Sequence, residues 1–183
     1  MFTWAWLGIA QGARLHVMAD RVEGGMNSNP LSPQDLTRWM DHALSLARGA
    51  ATAGEVPGGA VVLDAAGQLL GEGANGPIST DDPTAHAEIV AMRAAARALG
   101  NYRLTGCTLI VTLEPCAMCA GAMAHARIGH LVYGAEDVKG GAVAHGPQLF
   151  HQPTIHHRPN VTRGVRAEEA SALLKSFFAA RRR

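Results

Sequence analysis

Asp82-Pro83-Thr84-Ala85-His86-Ala87-Glu88 and, further along, Glu114-Pro115-Cys116-Ala117-Met118-Cys119 decide how this chain reads. One imidazole and two thiolates make three protein ligands of the kind zinc takes. A fourth tetrahedral position would stay open for water, the arrangement of a catalytic rather than a structural zinc. Glu88, two residues past His86, is placed to move protons rather than to bind the ion. A structural Cys-x-x-Cys would want a fourth protein ligand at regular spacing, and a redox dithiol needs no His-x-Glu upstream. The joint pattern therefore points to hydrolytic metal chemistry, with His86, Cys116 and Cys119 as zinc ligands and Glu88 as the acid and base.

Working outward, both halves fall where a loop opens a helix. Pro83 and Thr84 are expected to start a helix that runs Ala-rich to Leu99, with Gly100 ending it. Thr108 to Leu113 is a β-branched run between Gly106 and Pro115, hence a buried strand. Cys116 opens a small-residue helix to about Ala126. A thiol there sits near unpaired N–H groups and the positive end of the dipole, which favours the thiolate. Upstream, Ser32 and Pro33 open a helix carrying Leu36, Trp39, Met40, Ala43, Leu44 and Ala47 at helical spacing. Ala60–Leu63 and Leu69–Gly73 read as a hairpin about the Asp64–Gly67 turn. Downstream come a short strand at Leu131–Tyr133, a long loop from Gly134 to Pro159 and a last strand at Asn160–Thr162. Ala167–Ala180 completes the chain as an amphipathic helix with Leu173, Leu174, Phe177 and Phe178 on its apolar stripe. This order predicts an α/β fold with one mixed sheet and helices on both faces.

The 183 residues suit one domain with tails, and a net charge of +1 does not by itself argue for nucleic acid. Charge is uneven, however. From Arg127 onward the bases are Arg127, Lys139, Arg158, Arg163, Arg166, Lys175 and Arg181 to Arg183, against Glu136, Asp137, Glu168 and Glu169. A polyphosphate would be drawn to that end; a solvated helix face with a basic tail reads equally well. Three cysteines, two at metal spacing, argue for a reducing cytoplasm rather than a disulfide framework, and Cys107 reads as a core thiol. His125, His130, His145, His151, His156 and His157 lack ligand spacing for a second metal and read as polar loop or nucleic-acid-facing residues. Residues 1–30 end in Gly24-Gly25 and Asn27-Ser28-Asn29-Pro30 and are expected to form a poorly ordered leader, with residues 31–183 as the working domain. The leader's apolar start lacks the positive flank of a signal peptide, and Met18 or Met26 would serve as starts.

Beyond the two metal motifs, Glu55-Val56-Pro57, Asn75, Asn101-Tyr102-Arg103-Leu104, Val111-Thr112-Leu113, Ala120-Gly121-Ala122-Met123, Arg127-Ile128, Lys139-x-Gly141-Ala142 and Phe177-Phe178 continue a pattern. Over about residues 35–183 the chain resembles the bacterial tRNA-specific adenosine deaminases of the zinc-dependent cytidine and deoxycytidylate deaminase superfamily. The resemblance implies a cytidine-deaminase-like three-layer α/β/α fold with a five-stranded mixed sheet. It implies one zinc per subunit on His86, Cys116 and Cys119, with Glu88 as proton shuttle. Asn75 would hydrogen-bond a flipped base between Val56 and Leu113, with Asp137 and Lys139 near the RNA strand. A homodimer acting on the wobble adenosine of a tRNA anticodon, that of an arginine tRNA, completes what it implies.

Several positions depart from that family. Gly76 stands where Arg usually follows the pocket Asn, Gly58-Gly59 where Val-Gly is usual, and Glu136 where Arg is common. Gly140-Gly141-Ala142-Val143-Ala144-His145 replaces a Thr-Gly-Ala-x-Gly-Ser run, and Gln148 stands at an acidic or amide position. The metal motif is untouched, and the changes fall on surfaces expected to grip RNA. Two other readings stay open: a deaminase of a free base or nucleoside such as guanine or cytosine, and an inactive scaffold or RNA-binding module. The latter has no use for Glu88.

Overall fold

The computed structural model describes residues 31–182. Helix α1 (Pro33–Thr52) opens on a capping box, Ser32 accepting from the Asp35 N–H while Asp35 accepts from Ser32. There follow β1 (Gly59–Leu63), β2 (Leu69–Ala74), α2 (Ala87–Leu99), β3 (Thr108–Leu113), α3 (Ala117–Ala126) and β4 (His130–Ala135). A single 3-10 turn at Leu149–His151 interrupts the long loop before β5 (Asn160–Arg163) and α4 (Ala167–Arg181). The five strands form one sheet in the order β2-β1-β3-β4-β5. The β1 strand runs antiparallel to both neighbours, whereas β3, β4 and β5 are parallel. The sheet is mixed, as expected.

Alternation along each strand feeds two cores. Val62, Leu109, Val111, Leu131 and Tyr133 pack with α2 and α3. Val61, Leu63, Ile110 and Val132 pack with Met40, Ala43 and Leu44 of α1 and Ala170 of α4. The result is three layers, α1 and α4 on one face and α2 and α3 on the other. Burying each of these branched side chains contributes about 2 kcal/mol. Cys107 is buried in the first core, as its apolar setting predicts.

Helix α2 reaches its place because β2 has no side chains in its way. A Cβ at Gly73 would lie 2.5 Å from the Ala87 carbonyl oxygen, and one at Gly71 2.4 Å from the Ala95 nitrogen. The helix lies directly on the strand, and its first residue is thereby fixed over the end of the sheet.

The structure corrects three details. Helix α2 begins at Ala87, not at Pro83, because the Asp82 carboxylate accepts from both the Thr84 N–H and its hydroxyl and bends the chain into a turn first. Strand β4 extends to Ala135, carried by parallel pairing of Leu113 with Ala135 that no local pattern announces. The α4 stripe is only partly used: Phe177 is buried, while Phe178 stays 41% exposed. The expected leader lies outside the described residues.

Candidate active site

His86 is the N-cap of α2 and Cys116 the N-cap of α3, both with extended backbone and neither spending its side chain on the cap. Their side chains are therefore free to turn toward each other across the end of β3. His86 Nδ1 lies 3.7 Å from Cys116 Sγ and 3.6 Å from Cys119 Sγ. All three donor atoms sit within 4.8 Å of one another, and no other such trio occurs among the described residues. A tetrahedral zinc with bonds of about 2.0 Å to nitrogen and 2.3 Å to sulfur holds N and S about 3.6 Å apart. The donor spacing thus fits zinc without rearrangement.

The thiols lean the same way. The Cys119 S–H and the His86 ring beside Cys116 hold its thiol down at about 4, a thiolate at neutral pH. Cys119, hydrogen-bonded to that thiolate and buried, is pushed up and keeps the proton between them. Contact with Cys116 raises His86. Two sulfurs sharing one proton beside an imidazole form a donor set in which a cation takes the proton's place.

Glu88 occupies the second position of α2 and is 7% exposed. Burial raises its pKa, with the neighbouring Cys116 acting in the same direction. Its carboxyl lines a cavity of about 270 Å³ together with His86 and Cys116. Asn75, Val56 and Leu113, expected to hold a base, line the same cavity. Asn75 is fixed from both ends: its Oδ1 accepts from the Ala87 N–H at 2.9 Å and its Nδ2 donates to the Val56 carbonyl at 3.1 Å. Gly58 leaves room for it: a Cβ there would fall 2.9 Å from the Asn75 amide, so one departure from the family pattern packs against a cavity residue. Cys119, in the first turn of α3, is fully buried.

The chain belongs to the zinc-binding cytidine and deoxycytidylate deaminase family. The model of its zinc-binding region matches residues 33–135. A tRNA-specific adenosine deaminase of Haemophilus influenzae is 50% identical over 145 residues, 79% of this chain and 84% of that protein. A solved structure from work on A-to-I editing by tRNA:A34 deaminases at the wobble position of transfer RNA superposes with a TM-score of 0.74 at 48% identity, covering 75% of this chain and 99% of that one. A guanine deaminase from Nitrosomonas europaea superposes with a TM-score of 0.65 at 26% identity, over 78% and 84% of the two chains. For a zinc-binding deaminase, the cavity has the parts the chemistry needs: a three-donor metal set, a buried carboxyl and the Asn75 amide in its lining.

Sequence reasoning assigned no role to Glu55, Ile78 or Glu114, which also line the cavity. Glu55 is buried and accepts from the Ser79 N–H at 2.7 Å, pinning the Gly76–Thr80 turn that carries the exposed Ile78. The Glu114 side chain is wholly buried. Burial opposes its charge, yet the His145 ring and the N–H groups of His145, Ala144 and Asp137 hold it down at about 2. Its place directly before Pro115-Cys116 was the available signal. Among the other histidines, His130 contacts the Thr162 hydroxyl and His157 the Ile128 carbonyl, so both serve the fold.

Proposed function

We propose that this protein is a hydrolytic tRNA adenosine deaminase that converts the wobble adenosine of an anticodon, that of an arginine tRNA, to inosine. The observation that carries it is the donor trio beside a buried Glu88 in a cavity that also holds Asn75. The 48–50% identity to proteins named for this activity supports the substrate. Its working unit is residues 31–183, with residues 1–30 as a leader, and it acts in the cytoplasm. No helix among the described residues is long and apolar enough to cross a membrane.

His86, Cys116 and Cys119 hold the zinc, which supplies Lewis-acid activation of a water. The reaction forms a C6–O bond, breaks the C6–N bond, consumes the water and releases ammonia. Glu88 takes a proton from the water side and delivers protons to N1 and to the departing amine. Its burial suits both duties, because a raised pKa keeps the protonated form within reach. Asn75 orients the base, and Val56 and Leu113 flank its faces. A single-stranded loop lets that base leave the stack at the modest cost of a few kcal/mol.

The active form is a homodimer. Ala120, Met123 and Ala124 of α3 are consumed by the chain's own core. Apolar surface remains between α2 and α3, where Ala96, Ala122 and Ala126 and the 65% exposed Tyr102 line an open groove. Sedimentation at micromolar concentration tests this, and a monomer overturns it. A free-base deaminase is the second reading, favoured by the 26% identity to a guanine deaminase with the same fold. The deciding experiment incubates zinc-loaded protein with an arginine-anticodon hairpin and sequences for inosine. No inosine there, with ammonia released from guanine or cytosine, transfers the assignment to the second reading.

A further inference from the structure

One buried carboxylate organises the whole loop between β4 and the 3-10 turn. Glu114 Oε1 accepts from the Val143, Ala144 and His145 N–H groups at 3.1, 2.8 and 3.0 Å. Its Oε2 accepts from the Asp137 N–H at 3.1 Å and from His145 Nδ1 at 2.6 Å. The Pro115 carbonyl accepts the Ala142 N–H at 2.9 Å. Gly141 has no room for a side chain: a Cβ would lie 2.4 Å from the Glu114 carboxyl carbon. The segment from Asp137 to His145 is thus wrapped around the residue two positions before Cys116. Asp137 and Glu114 both line the cavity, and Asp137 Oδ1 in turn holds the Lys139 N–H.

Of the five donors on Glu114, four are backbone and belong to any sequence. The fifth is the His145 ring, which stands where the resembling family carries Ser. Its other nitrogen faces Glu136 Oε2 at 3.9 Å, and Arg163 stands 3.7 Å from the same carboxylate. The acid that replaces the common Arg before Asp137 is therefore turned toward two bases of the fold.

We propose that His145 is a positioning residue for the substrate-side loop: its Nδ1–H bond to Glu114 fixes Asp137 and Lys139 at the cavity mouth. This rests on RNA being the substrate. The shared Oε2 makes the coupling direct, because the ring and the Asp137 N–H converge on one atom. Losing the ring removes the other donor on Oε2, so the carboxylate is free to turn away from the Asp137 N–H and the Asp137–Gly141 turn loses its anchor.

The test uses zinc-loaded full chain carrying H145A, H145N or H145Q. An Asn amide can reproduce the Nδ1 donor, whereas a Gln amide reproduces only the Nε2 position. The expected result is a rise in KM for the anticodon hairpin of about five- to tenfold in H145A and H145Q, with kcat and zinc content within about twofold and H145N near the parent. Amide exchange at Asp137, Val143 and Ala144 should quicken about tenfold in H145A, with the rest of the sheet unchanged. Equal defects in H145A and H145N, an unchanged KM in all three, or a uniform rise in exchange overturns the proposal. If the parent protein makes no inosine, the substrate reading has failed, and the exchange pattern of H145A against H145N still decides whether His145 sets the loop.

Discussion

His86 Nδ1 and Cys116 Sγ lie 3.7 Å apart although each opens a different helix. The approach depends on β3 spanning the distance between α2 and α3 and on both N-caps leaving their side chains uncommitted. Purified protein is expected to hold one zinc per chain. C116S should lose it, because a hydroxyl does not ionise to replace the thiolate. Chelation of the parent should abolish turnover and lower the melting temperature, since metal binding is linked to the folded state. Elemental analysis giving a second stoichiometric transition metal would count against the trio as the whole site.

Glu88 lines the cavity without joining the donor trio. Glu88→Gln should therefore keep zinc and fold while lowering kcat by about a hundred- to ten-thousand-fold, the usual contribution of a positioned acid–base group. Retained turnover would reassign Glu88 to the structure of α2.

The strand that carries this geometry was readable in full: Thr108–Leu113 is bounded by Gly and Pro and filled with β-branched and apolar residues, and the fold uses those same limits. The metal donors were readable because their residue types are rare in combination. The start of α2 was misplaced because Pro83 carries a helix-start signal that the Asp82 side chain overrides locally. The role of His145 could not be read at all. Its partner Glu114 lies 31 residues away, and only parallel pairing of β3 with β4 brings the two together. Periodicity reports which face a residue takes, not which distant carboxylate waits there.

Asn75 ties the Val56 loop to the first turn of α2, so it should affect both stability and catalysis. Asn75→Ala removes two hydrogen bonds and should cost about 1–3 kcal/mol, read as a fall in melting temperature, together with a loss in kcat/KM. Asn75→Asp keeps the acceptor for Ala87 and removes the donor. It should recover part of the stability and none of the kcat/KM. Full activity in Asn75→Asp would show that no donor from this position serves the base.

The basic C-terminal end divides between fold and substrate. Arg181 is not available to a phosphate in the way its position in the sequence suggests. Its Nη2 donates to the Gly54 carbonyl at 2.9 Å, just past the end of α1, and its guanidinium lies 3.6 Å from the Phe177 ring centre. A cation there satisfies a loop carbonyl and stacks on an aromatic face. Arg163 and Arg166 are likewise paired, with Glu136 and with Asp41 and Glu169. Lys139 has no ion-pair partner among the described residues and projects from the loop that Glu114 holds at the cavity. Lys139→Ala should accordingly weaken hairpin binding and reduce the slope of log K against log salt by about 0.7, the value of one contact on a single strand. Arg181→Ala should lower the melting temperature by an amount corresponding to about 1 kcal/mol and leave the salt slope unchanged. Measuring both variants by binding titration at several salt concentrations and by thermal unfolding separates the two roles. A reduced slope in Arg181→Ala with no change in melting temperature would return Arg181 to the RNA-binding surface.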